Sequence, residues 1–340
     1  MRKQCRQGLV LVRDFWLIVW MKIVVLDSET LGFEKAAWDA LADLGELVLY
    51  DSTEGSKAAV LEHARGATVV LSNKVPLRAE TLAELPELKL ISVLATGYNN
   101  VDLAAARERG ITVCNVPAYS SASVAQHTVA LLLELCNQCG LHNESVQAGD
   151  WVRSRQFCYW KQVPLELTGL TVGLMGFGDI GRRVGAILHA MGARIQACVR
   201  SPRDTPDWEG FAWVDRETLF ATSDVVSLHC PETAENHKFV NADLLGTMRR
   251  EAFLINTARG GLIDEKDLAA ALGSGQLAGA ALDVVAVEPM RAGNPLLGAP
   301  NCILTPHLAW ASEPSRRRML EISAANIAGF LKGAPQNVVV

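Results

Sequence analysis

The chain has 340 residues, 49% of them hydrophobic and 20% charged, and carries a formal net charge of −5. That is globular composition, long enough for two domains, and its acidic balance argues against a nucleic-acid or membrane-surface role. The eight cysteines are scattered, so no disulfide framework is indicated, a reducing cytoplasmic setting is expected, and no metal site is anticipated.

Residues 1–20 combine basic residues with an apolar stretch, but Arg13 and Asp14 interrupt it and Phe15 to Met21 is too short to span a bilayer. They read as an N-terminal appendage to a domain that opens at Met21, with no export implied. From there short apolar runs at 23–27, 47–50, 68–72, 88–94 and 111–115 alternate with helical periods near 34–44, 57–65, 79–85 and 101–109. Repeated βα units of this length predict a parallel sheet covered by helices on both faces.

Pro117 closes that domain, and Ser120, Ser121 and Ser123 supply cap-type residues before an apolar helix over about 123–140. The helix is too hydrophobic to be solvated and is expected to cross between domains and meet a partner subunit. Cys136 and Cys139 lie within it, three apart on one face, where packing is a plainer reading than a redox or metal pair. Later strands are expected at 170–175, 194–199, 224–229, 252–256, 277–283 and 302–305, and a last helix at about 315–332 returns to the first domain. The expected fold is α/β, with two doubly wound parallel-sheet domains and a cleft between them. A flavodoxin-like substrate domain takes 21–118 plus 309–340, and a Rossmann dinucleotide-binding domain takes 119–308.

The run Gly176-Phe177-Gly178-Asp179-Ile180-Gly181 follows a strand and opens a helix. Gly176 permits the tight turn, Gly178 lets the backbone approach a pyrophosphate, and Gly181 allows close packing of helix on strand. The helix N-terminus offers free N–H groups to the phosphates. Alone, the motif would equally hold another nucleotide-like ligand, including the adenosyl group of a methyl donor. About 20 residues on, where an acid commonly reads the ribose, stand Arg200, Ser201 and Arg203. Arginines suit a 2′-phosphate, so NADPH is favoured over NADH; the plainer alternative is a solvated basic loop. His229, Cys230 and Pro231 are assigned to the adenine or ribose side, and Thr257, Ala258 and Asp283 to the cofactor, Asp283 through the nicotinamide amide.

Arg259, Glu288 and His307 each follow a predicted strand end, the edge where open α/β sheets bind ligands. Arg259 would pin a substrate carboxylate and polarise the carbonyl. His307 would exchange a proton with the carbonyl oxygen, and Glu288 would orient the imidazole and favour its charged form. Singly, each has a bland reading: a surface ion pair, a capping histidine, a turn residue before Pro289. Their conjunction is what points to keto-acid reduction. His127 and His189 read as helix residues, and His63 and His142 as residues near helix ends.

With GFGDIG, HCPET, NTARGGLIDEKDL, ALDVVAVEP and TPHLAW in place, the sequence resembles the D-isomer-specific 2-hydroxyacid dehydrogenases over 22–333. LSNKVPL, ATGYNNVD, WVRSRQFCYW and the AW after His307 look most like the hydroxypyruvate reductase (glycerate dehydrogenase) branch. The resemblance puts Arg259, Glu288 and His307 on the family's catalytic Arg, Glu and His. It also implies a homodimer, a site between domains, and backbone amides at Thr96 and Gly97 that cradle the substrate carboxylate. Lys74 and Trp310, with Tyr98 and Trp160, are candidates for reading the substrate's far end. Two departures stand out: Gln126 replaces a frequent Glu, and the ribose acid is missing. The expected activity is hydroxypyruvate or glyoxylate reduction, with D-glycerate as the product of the former; the alternative is a dinucleotide-sensing, corepressor-like binding protein. Glu288 argues against a formate-type site.

Overall fold

The structure, a computed structural model, describes residues 10–12, 15–17, 21–33 and 35–340. Of the expected appendage it describes β1 (Val10–Val12) and β2 (Phe15–Leu17), an antiparallel pair. The rest of that segment, and with it the judgement on its nature, lies outside the described residues. The chain divides into two compact units, one ending at Ser120 and resuming at Ala311, the other running Ser121–Trp310.

The first unit holds β3 (Lys22–Val25), β4 (Glu46–Leu49), β5 (Val69–Ser72), β6 (Leu90–Val93) and β7 (Thr112–Cys114). They form one parallel sheet in the order β4-β3-β5-β6-β7. Two of its helices start on side-chain caps: Ser56 accepts from the Ala59 amide and Asp102 from the Ala105 amide, which satisfies N–H groups the helix leaves unpaired. Val24, Val70, Ile91 and Val113 pack into one core with Val60, Leu82 and Ala106 from the helices. The last helix is Glu313–Leu331, with Pro314 inside its first turn, a place where proline's missing N–H costs nothing.

The second unit holds β8 (Thr171–Met175), β9 (Arg194–Cys198), β10 (Ala212–Trp213), β11 (Val225–Leu228), β12 (Phe253–Asn256), β13 (Gly279–Leu282) and β14 (Cys302–Leu304). The order β10-β9-β8-β11-β12-β13-β14 is parallel throughout and reverses between β8 and β11. Alternate residues of each strand serve opposite faces, as a pleated strand requires. Val225, Ile255 and Ala281 meet one core, whereas Val226, Leu228, Leu254 and Leu282 meet the other.

The apolar helix before this sheet is Ser121–Asn137. Its Ala125, Val129, Leu132 and Leu135 lie in the core shared with β8 and the helix Asp179–Ala190. Its hydrophobicity is thus consumed within the unit, contrary to the expectation of a face for a partner. The expected run to 140 breaks at Gln138, whose backbone is left-handed (φ 48°), and a new helix, Cys139–Gln147, begins. Cys136 is buried and Cys139 exposed, so the two do not share a helix face.

Candidate active site

Register brings the candidate residues to one edge of the second unit. Cys198, Met175, Leu228, Asn256, Leu282 and Leu304 are paired in a single row across six strands. The next residue of each strand is therefore Val199, Gly176, His229, Thr257, Asp283 or Thr305, all at the carboxyl end of a parallel sheet. Gly176 and His229 flank the point where strand order reverses, the crevice such sheets use for ligands.

The glycine turn is built for close approach. Gly176 has φ 101°, and a Cβ there would lie 2.6 Å from the His229 carbonyl carbon and 2.7 Å from the Cys230 nitrogen. A Cβ on Gly181 would fall on the Gly176 carbonyl oxygen, so the helix can sit against the turn only without a side chain. Gly178, the N-cap residue of Asp179–Ala190, has nothing within 4 Å of its would-be Cβ. The Phe177 side chain is buried among Trp208, Phe211 and Trp213, leaving only its backbone to face the turn's outer side.

Beyond β9, Arg200, Ser201 and Arg203 are exposed and line an open hollow. Arg182, which the sequence reading passed over, shapes that loop: its guanidinium donates to the carbonyls of Arg203 and Asp204 at 2.7 Å and rests on the Phe177 ring. On the other side of the reversal, His229 bonds through Nε2 to the Ser227 hydroxyl at 2.9 Å. Burial pushes its imidazole down to about 4 and the Cys230 thiol up to about 11, so both are uncharged at neutral pH.

Arg259 precedes the 3-10 turn Gly260–Leu262. Asn256 ties its loop from both sides, donating to the Arg259 carbonyl at 2.8 Å and accepting from the Ala258 amide at 2.9 Å. Glu288 accepts the Val285 amide on Oε1 at 3.2 Å and faces the His307 ring with Oε2, 2.6 Å from Nδ1. His307 itself has a left-handed backbone (φ 52°), which residues with a Cβ avoid.

Asp283, read from sequence as facing the nicotinamide, is 1% exposed and lies under the 305–309 turn. Its Oδ1 accepts from the Thr305 hydroxyl at 2.6 Å and the Leu308 amide at 2.9 Å, its Oδ2 from the Ala309 amide at 2.9 Å. Burial works to raise this carboxyl. Hydrogen bonds from His127, Thr305, Ala309 and Leu308 outweigh it and hold the group below its ordinary value.

In the first unit, Lys74 follows β5 and Thr96 and Gly97 follow β6, whose ends Ser72 and Val93 are in register. Buried Asp27, just past β3, accepts the amides of Asn73 at 3.0 Å and Lys74 at 2.7 Å, fixing that loop. The Thr96 hydroxyl donates to the Val116 carbonyl at 2.8 Å, and its own carbonyl accepts from Asn115.

Among the described residues no group of three or more His, Cys, Asp or Glu is arranged to hold a metal, and no helix is long and apolar enough to cross a membrane.

A family model described as "D-isomer specific 2-hydroxyacid dehydrogenase, NAD binding domain" matches residues 129–309. A hydroxypyruvate reductase of Blautia hydrogenotrophica is 42% identical over 320 residues, spanning 94% of this chain and 99% of that protein. A glycerate dehydrogenase of Methylorubrum extorquens is 40% identical, spanning 94% and 98%. Among solved structures, an NADPH-dependent glyoxylate/hydroxypyruvate reductase from Sinorhizobium meliloti, in complex with citrate, superimposes with a TM-score of 0.81 at 31% identity, over 94% of this chain and 98% of that one. The parallel-sheet units and these likenesses make one assignment: the chain belongs to the D-isomer specific 2-hydroxyacid dehydrogenase family, as an oxidoreductase that works with a nicotinamide dinucleotide.

Proposed function

We propose that the protein reduces small 2-keto acids to D-2-hydroxy acids, with hydroxypyruvate the preferred substrate and glyoxylate the second. The observation that carries this reading is the 2.6 Å contact between His307 Nδ1 and Glu288 Oε2, on the sheet edge that also bears Arg259. With Nδ1 engaged by the carboxylate, Nε2 is the ring nitrogen left to give a proton to the substrate oxygen. Arg259 supplies a fixed cation for the substrate carboxylate, and its planar fork sets which face of the carbonyl is presented. Lys74, Thr96, Gly97 and Trp310 are assigned to the rest of the substrate.

The residues present fit a dinucleotide. Open space at Gly178 beside the start of a twelve-residue helix suits a pyrophosphate. The strand ends Gly176, His229 and Thr257 would line the remainder, with Phe177, Asp179, Ile180, Cys230, Pro231 and Ala258. When bound, the reduced cofactor supplies the hydride. Arg200, Ser201 and Arg203, with no acid among them, support NADPH over NADH through contacts to a 2′-phosphate.

The same reading includes a homodimer. Exposed apolar side chains gather at Trp151, Val152, Phe157, Trp160 and Val163, with Phe157 and Val152 each 88% exposed. A stretch of that kind asks for cover, and a second copy of the chain would supply it. Scattered free cysteines favour a cytoplasmic setting. The test is a steady-state panel of hydroxypyruvate, glyoxylate, pyruvate and 2-ketogluconate, each with NADPH and NADH. The reading predicts the highest kcat/KM for hydroxypyruvate with NADPH; a preference for pyruvate, or no turnover of any keto acid, refutes it.

A further inference from the structure

We propose that His127 is a positioning residue of this reaction, which with Ser123 and Thr128 of the same helix holds the loops that carry Arg259 and His307. Ser123 and His127 lie at i and i+4 of the helix Ser121–Asn137 and so share a face, and Thr128 lies next along the turn. Ser123 Oγ donates to the Ala309 carbonyl at 2.6 Å. His127 Nε2 lies 3.0 Å from Thr305 Oγ1 and 3.5 Å from Asp283 Oδ1. Thr128 Oγ1 donates to Val124 within its own helix and meets the Thr257 hydroxyl at 2.9 Å, two residues before Arg259.

Counting protons fixes the direction of the chain of bonds. The Thr305 hydroxyl has one hydrogen and gives it to Asp283. Its lone pair therefore accepts, and the donor is the Nε2–H of His127. Asp283, so supported, uses its backbone carbonyl for the His307 amide at 2.8 Å and its carboxylate for the next two amides. One residue thus grips three consecutive N–H groups at the point where His307 adopts its left-handed backbone. The unfavourable conformation persists because the surroundings over-determine it, and it is the conformation in which the imidazole meets Glu288. His127 is 19% exposed at its side chain, so its donor is not readily replaced by bulk water.

The inference rests on the reading of His307 as the proton donor. Its test combines His127→Leu, which keeps bulk but no donor, His127→Gln, which restores a donor, and Thr305→Val, which removes the hydroxyl at constant shape. Turnover is read together with the Nδ1–H resonance of His307 in cofactor-free, 15N-histidine-labelled protein, assigned by its loss in His307→Ala. His127→Leu and Thr305→Val are expected to lower kcat about 10–100-fold, as a displaced acid would, with cofactor Kd unchanged, and to shift or broaden that resonance. His127→Gln should recover most of both. If His127→Leu does not fold, Thr305→Val reads the same link. A kcat within about twofold of the parent with an unmoved resonance overturns the proposal, and so does a loss in which Gln and Leu are equivalent. Should His307→Ala keep full turnover, the proton-donor reading fails separately, and the resonance alone then judges whether His127 holds the turn.

Discussion

Two glycines three residues apart should respond to the same added methyl in opposite ways. Replacing Gly178 by Ala puts a Cβ where no atom lies within 4 Å. The cofactor-free fold then loses a good N-cap residue, about 0.5–1 kcal/mol, and gains about 0.4–1 kcal/mol from a less flexible unfolded chain. These nearly cancel, so the cofactor-free Tm should stay within about 3 °C of the parent. The dinucleotide, however, loses the space its pyrophosphate needs, and its Kd should rise at least ~10-fold. Gly181→Ala puts its Cβ on the Gly176 carbonyl oxygen, a backbone atom that moves only with the turn. Overpacking of that kind reaches about 3 kcal/mol; the helix propensity of Ala returns about 1 kcal/mol, and the remainder of about 2 kcal/mol lowers Tm by about 4–8 °C. Thermal unfolding without cofactor and titration calorimetry with NADPH and NADH measure both quantities. The reasoning is refuted if Gly178→Ala binds cofactor like the parent, or loses as much Tm as Gly181→Ala.

Three further outcomes are expected. His307→Ala should cut kcat by about 10²–10⁴-fold while cofactor Kd holds; near-normal kcat in pre-steady-state reduction would remove it as the acid. Replacing Arg200 and Arg203 together by Ala should weaken NADPH by at least ~10-fold and spare NADH, and equal losses in paired titrations would count against the phosphate reading. His229 takes up a proton at about 4 when folded, against 6.5 as an ordinary imidazole. The unfolded chain therefore binds a proton that the folded one refuses, and stability falls as pH drops from about 6.5 to 4, then levels off. Because the ring keeps some solvent contact, about 3 kcal/mol is an upper figure for that loss. His229→Gln should flatten this limb in denaturant unfolding at pH 7 and pH 4, and parallel limbs would contradict the buried neutral imidazole.

Much of this was legible in the residues because it rests on period and spacing. Apolar runs marked eleven of the twelve strands in the two parallel sheets; the two-residue β10 carries too little pattern to be seen. GFGDIG announced its turn because only glycine tolerates the contacts at Gly176 and Gly181. Chemistry alone pairs Glu288 with His307, and the two stand in 2.6 Å contact. What stayed hidden depends on distance in space between residues far apart in sequence. His127 and Thr305 are 178 positions apart, and a histidine within an apolar helix looks like packing. Arg182 follows the last glycine of the motif, and nothing local says that it reaches the carbonyls 21 and 22 residues on. The apolar helix was misjudged for the converse reason: hydrophobicity tells how much surface must be covered, not which neighbour covers it.

The hold of Arg182 on the loop after β9 has a consequence for how this protein can change. It grips the carbonyls of residues 203 and 204, which every amino acid has, and no side chain of the loop. The path of the loop is therefore set apart from the side chains at 200, 201 and 203, all of which are exposed. Shape and reading are set by different atoms. A lineage, or an engineer, can rewrite the loop's charge one substitution at a time without passing through an intermediate that folds poorly.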